Sequence, residues 1–143
     1  MELMTPQDEF WLYDYPINPI NIPSVMVFKR TKMDNTKFYN KILDDLGRKD
    51  RCSIKQVKMF SKYFFKRLTE VEYQDWKKTH TGIREDIRTD KELIEFALKL
   101  KSLEGKDRTT CSVHVYYIPN FNEDESAILS VGHHSYNDGI SQF

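Results

Sequence analysis

Two β-forming runs near the C-terminal end, Cys111 to Ile118 (CSVHVYYI) and Ser126 to Val131, constrain the fold more than any other feature. The acidic loop Pro119 to Glu125 joins them. β-Branched and aromatic residues bounded by Pro, Asn and Asp mark strands that pair through their connection. The helix before them is equally well signalled. Thr89 and Glu92 have capping-box spacing, Leu93, Ile94, Ala97, Leu98 and Leu100 form an apolar face, and Gly105 follows a helix over 90–104. Upstream, Asp34 caps a second helix running to about Leu46, with Phe38, Ile42 and Leu46 at four-residue spacing and Gly47 as its stop. Ser24 to Phe28 (SVMVF) reads as a strand, and so does the segment 57–68. Strand, helix, strand, helix and two strands in that order predict an α/β layered domain with a mixed sheet.

Residues 1–23 read differently. Phe10, Trp11, Tyr13 and Tyr15 precede Pro16, Pro19 and Pro23, and this proline spacing forbids a helix. An extended arm lying on an apolar surface is expected there. With 143 residues the chain can build one modest domain. Its formal net charge of zero gives no global attraction to nucleic acid. The neutrality is uneven: 13 basic residues face four acidic ones between Lys29 and Arg67. That stretch is either a solvated face or a contact surface for an anionic partner, a phosphorylated cofactor or an anionic membrane. Cys52 and Cys111 make neither a metal spacing nor a framework of bridges, as suits a reducing compartment. The N-terminus has no signal-peptide pattern, and no run approaches the roughly 18 apolar residues of a membrane span.

The chemistry lies in His133-His134-Ser135-Tyr136-Asn137-Asp138-Gly139, where an apolar strand, Ala127 to Gly132, ends and the chain must turn. Strand side chains alternate, so only one of the two histidines can look into a given cavity, and the other packs or hydrogen-bonds behind the sheet. A neutral imidazole suits proton abstraction because its reference pKa of about 6.5 lies near working pH. The same pair could be structural, or half of a metal site, although near it only Asp138 falls at a ligand spacing. His114, between Val113 and Val115, reads as packed or surface-facing, and His80 in a polar run as solvent-exposed. Tyr116 and Tyr117 should divide between the two sheet faces, and Tyr63, Phe64 and Phe65 read as core, with a lipid-binding surface as the alternative.

His-His-x-x-x-Asp-Gly after a short apolar strand resembles the active-site motif shared by chloramphenicol acetyltransferase, peptide-synthetase condensation domains and the wax ester synthase/diacylglycerol acyltransferase family. Chance places these four residues in roughly one of a few thousand chains of this length, so the motif is specific to the superfamily but does not choose a branch. Flanking residues favour the wax ester synthase/diacylglycerol acyltransferase branch. Met4-Thr5-Pro6-Gln7-Asp8-Glu9-Phe10 is similar to its N-terminal Ser-Pro-x-Asp-x-x-Phe pattern, with Thr for Ser. Phe64-Phe65-Lys66-Arg67-Leu68 resembles its Phe-Arg-x-Arg-hydrophobic strand, with Phe65 in place of the first arginine. Trp76 before a capped helix and His114-Val115 in a strand also fit, whereas Arg108-Thr109-Thr110-Cys111 departs from the usual Arg-Pro-Leu-Trp.

The resemblance implies the N-terminal lobe of a chloramphenicol-acetyltransferase-like two-layer sandwich, incomplete because family members carry a second lobe and an acyl-CoA channel between the two. It implies transfer of a fatty acyl group from acyl-CoA, a co-substrate rather than a bound cofactor, to diacylglycerol or a long-chain alcohol. His134 maps to the general base. His133, Asp138 and Gly139 support the motif, with Arg67 as the partner of Asp138. An intracellular location, peripheral to the endoplasmic reticulum membrane or lipid droplets, follows from the same resemblance. Residues 131–143 would be the active-site segment. With its second lobe missing, the chain is expected to be a fragment, a truncated product or half of an assembly, and a non-catalytic interaction module is the alternative.

Overall fold

The computed structural model describes residues 1–5, 21–47, 53–103 and 113–133. The sequence motif from His134 to Gly139 and most of the expected arm lie outside these residues.

The centre is a four-stranded sheet. Strand β2 (Asn21–Lys29) pairs antiparallel with β7 (Glu125–His133), β7 with β6 (His114–Ile118), and β6 runs parallel to the short β5 (Thr81–Ile83). The β6–β7 pair is the one expected from their acidic connection. Parallel β5 makes the sheet mixed, because its crossover to β6 passes through a helix. A second sheet of three strands orders β1 (Glu2–Leu3), β4 (Lys62–Arg67) and β3 (Ile54–Met59). Among the described residues three helices accompany the sheets: α1 (Asn35–Gly47), α2 (Glu70–His80) and α3 (Asp90–Leu103). The layered α/β arrangement expected from the sequence is the one observed.

Local chemistry accounts for the helix starts. Asp34 Oδ1 accepts from the Lys37 amide at 3.0 Å, capping α1 as expected. The Thr89–Glu92 capping box of α3 is formed in both directions. On α3, however, only part of the expected apolar face is covered. Leu93, Ala97 and Leu100 are buried, whereas Ile94 and Leu98 are exposed. Spacings of three and four place Leu93, Phe96, Ala97 and Leu100 in one stripe, with Ile94 and Leu98 beside it.

Three expectations change. Residues 57–68 are not one strand but most of a hairpin, with β3 and β4 turning at Phe60 (φ 48°) and Ser61 (φ 68°). Two successive left-handed residues match the twist of a tight hairpin, yet neither is the Gly or Asn that usually signals one. The strand expected at Ser24 begins three residues earlier, inside the expected arm. It tolerates Pro23 because β2 is an edge strand. Helix α2 has no counterpart among the sequence expectations. Its residues are polar, but Thr69 and Glu72 form a second capping box and Trp76 is buried beneath it.

Each face of the central sheet has its own core. On one face α3 packs Leu93, Ala97 and Leu100 against Ile118, Ala127, Leu129 and Val131, and the ring of Phe96 meets Tyr116 edge-on at 4.9 Å. On the other, Leu43, Phe65 and Trp76 pack with Val113 and Val115. The Trp76 indole N–H donates to the Val113 carbonyl at 2.8 Å, both buried, and so ties α2 to the start of β6. Tyr117 faces this second core and Tyr116 the first, as expected. Of the aromatic trio, Phe65 is in the core while Tyr63 and Phe64 are half-buried.

Candidate active site

Strand β7 ends in His133, the first of the paired histidines, at one end of the central sheet. Its last residue, His133, lies directly opposite Asn21, the first residue of β2, and both are buried. His114, the first residue of β6, lies opposite Val131. Opposed residues share a face and alternate residues return to it. His133, Asn21, His114 and Tyr116 therefore occupy one end of the face that α3 covers. His80 joins them at the end of α2, its ring centroid 4.6 Å from that of His114 and tilted by 35°. The His114 ring in turn stacks near-parallel with Tyr116 at 6.3 Å.

His80 is thus half-buried rather than solvent-exposed, a correction to the sequence reading. It belongs to a polar run, but that run folds back where α2 meets β5. Burial, reinforced by the neighbouring His114 and opposed by Asp75, lowers its pKa to about 4. Its Nδ1 lies 2.6 Å from the Thr79 hydroxyl. Of the two readings offered for His114, packed is the observed one.

His133 is buried, at 4% exposure. The opposite face of the same strands carries Val115, Tyr117, Ile128 and Ser130. There the Tyr117 hydroxyl is buried without a hydrogen-bond partner among the described residues. Its ring meets Phe38 at 5.0 Å. Nothing in the sequence marked this hydroxyl, because its isolation depends on what packs around it.

Arg67 ends β4, in the other sheet, and is exposed. It lines a cavity of about 350 Å³ with Asp44, Thr69 and Tyr73. His134, Asp138 and Gly139 lie outside the described residues. Among the described residues no group of three or more His, Cys, Asp or Glu could hold a metal, and no helix is long and apolar enough to cross a membrane.

No family model matches the chain, and no curated protein matches it by sequence. Solved structures do match in fold. One is a wax ester synthase/diacylglycerol acyltransferase from Marinobacter aquaeolei VT8, with a TM-score of 0.67 at 16% identity over 97% of this chain. Another is the starter condensation domain of rhizomide synthetase, with a TM-score of 0.70 at 12% identity over 97% of this chain. A form of that condensation domain in complex with C8-CoA matches at a TM-score of 0.63 and 12% identity over 92% of this chain. The chain spans 36%, 34% and 30% of those three structures, about a third of each. At these identities the likeness is one of fold: the chain shares the architecture of about a third of each of these structures.

Proposed function

We propose that the chain is the N-terminal lobe of a CoA-dependent O-acyltransferase in which His134 is the general base. The observation that carries the reading is the position of β7, a buried central strand that ends in His133, one residue before His134. Alternation along such a strand turns neighbouring imidazoles to opposite faces, one locked in packing and one available to substrate. In the proposed step, His134 removes the proton of an alcohol as its oxygen attacks the thioester carbonyl. The new C–O bond forms, the C–S bond breaks, and the proton passes to the departing CoA thiolate. No covalent enzyme intermediate is needed, because a thioester is already a good acceptor. The fold likeness to a wax ester synthase/diacylglycerol acyltransferase, and to a condensation domain that binds C8-CoA, supports acyl-CoA as donor. Diacylglycerol or a long-chain alcohol as acceptor, action beside the endoplasmic reticulum membrane or lipid droplets, and Asp138 held by Arg67 as the loop's support belong to the same proposal and follow from the motif.

One observation favours a second reading. Because the chain spans only about a third of the structures it matches, the lobe could serve as a non-catalytic interaction module. Thiol release from acyl-CoA in the presence of alcohol separates the two. The test is made on the longest product of the reading frame and on its His134→Ala variant. Acyl transfer that falls by roughly 10²–10⁴-fold in the variant supports the enzyme. Transfer undiminished in the variant removes His134 from the role of base, and no transfer by the parent leaves the module.

A further inference from the structure

We propose that the three-stranded sheet docks on an anionic lipid surface through the tip of its β3–β4 hairpin, with Phe60 as the inserted side chain. Phe60 is 95% exposed, the most exposed of the large hydrophobic residues described. Its φ of 48° places it in the left-handed region, a marked outlier for a bulky residue. Asn or Gly would hold this turn without steric cost and without presenting a phenyl ring to water. Neither folding nor solubility therefore accounts for an aromatic here.

The surroundings of the ring have the chemistry of a bilayer interface. Gln56 and Phe65, opposite each other, are buried on the inner face of the sheet. Val57 opposes Phe64 and Met59 opposes Lys62, so these residues point outward. Leu3, opposite Phe64 from β1, extends the outer apolar surface and is half exposed. The hairpin sequence 54–67 contains five cations and no carboxylate. One of them, Lys55, pairs with Glu72 on α2. Lys58, Lys62 and Lys66 are exposed, with Lys58 and Lys62 flanking the turn that carries Phe60. Lysine stems can lie along apolar surface while their ammonium groups reach lipid phosphates, and an aromatic ring favours the headgroup boundary. Charge and apolar surface thus coincide at one edge of the molecule. The inference deepens the membrane-side action proposed above, but Phe60 and Lys62 take no part in the proposed proton transfer, so its failure would leave His134 as base untouched.

Co-sedimentation of the chain with vesicles of phosphatidylcholine alone, or with added phosphatidylserine, tests it. Binding is expected only with the anionic lipid and should weaken in high salt. Phe60→Asn, which suits the turn and should fold at least as stably, is expected to lose most of the binding. Lys62→Gln should weaken it roughly fivefold. In the Phe60→Trp variant, brominated acyl chains should quench indole emission beyond the level seen in the parent. Equal binding by parent and Phe60→Asn would overturn the proposal, as would emission from the introduced indole that bromine leaves unquenched. So would a chain that ignores vesicles while self-associating through the hairpin, which would mark a protein contact instead.

Discussion

The imidazoles of His80 and His114 lie 4.6 Å apart, one at the end of α2 and the other at the start of β6, in a partly desolvated corner of the sheet. With its pKa lowered to about 4, His80 remains neutral in the folded protein at pH values where the unfolded chain is already protonated. The unfolded state then binds more protons, so stability falls as pH drops from about 6.5 to about 4 and levels off below that. Glu72 and Asp86 act in a lower window. Lys55 chiefly holds the Glu72 carboxyl near 2, and Arg84 that of Asp86, so their contributions are lost between about 4.5 and 2. Thermal melts across pH should show a first decline between 6.5 and 4 that is reduced in His80→Phe. An unchanged slope in that variant would remove His80 as its source.

The Trp76–Val113 hydrogen bond predicts a graded response. Trp76→Phe keeps an aromatic ring but leaves the buried Val113 carbonyl without its donor, a cost of about 1–3 kcal/mol. Trp76→Ala adds a cavity and should cost about 3–5 kcal/mol. Urea unfolding measures both, and equal losses in the two variants would show that ring packing contributes little.

Tyr117 should behave in the opposite sense. Its hydroxyl is buried and has no partner among the described residues, so Tyr117→Phe is expected to hold or raise the melting temperature. Lost stability would reveal a partner for the hydroxyl. Unchanged stability with lost acyl transfer would give the hydroxyl a role in the reaction.

His133 predicts a coupled loss. Buried at the end of a central strand opposite Asn21, it should cost stability when truncated, and His133→Ala is expected to lower both melting temperature and activity. His134→Ala should reduce activity with less effect on stability. Exchanged behaviour of the two variants would reverse their assignments.

The isolated chain should be oligomeric and should release no CoA from acyl-CoA, since the structures it matches are about three times as long. Light scattering and a thiol assay check this. A stable monomer with turnover would show that the lobe is sufficient by itself.

What the sequence determined by itself was whatever depends on neighbours along the chain. Asp34 and Thr89 mark helix starts because a cap bonds to amides two or three residues on. The β6–β7 pair was legible because the segment joining the two strands is short. The paired-histidine motif was legible as a pattern of residue types. Tertiary structure decided what depends on distant partners. It chose which of the apolar residues on α3 face the sheet, leaving Ile94 and Leu98 outside. It also brought His80 and His114, 34 positions apart, into ring contact and isolated the Tyr117 hydroxyl. The turn at Phe60 and Ser61 lies between these cases, because pairing along β3 and β4 holds a backbone conformation that neither residue prefers. Propensity acts over a few residues, whereas burial is set by whatever the rest of the chain packs against.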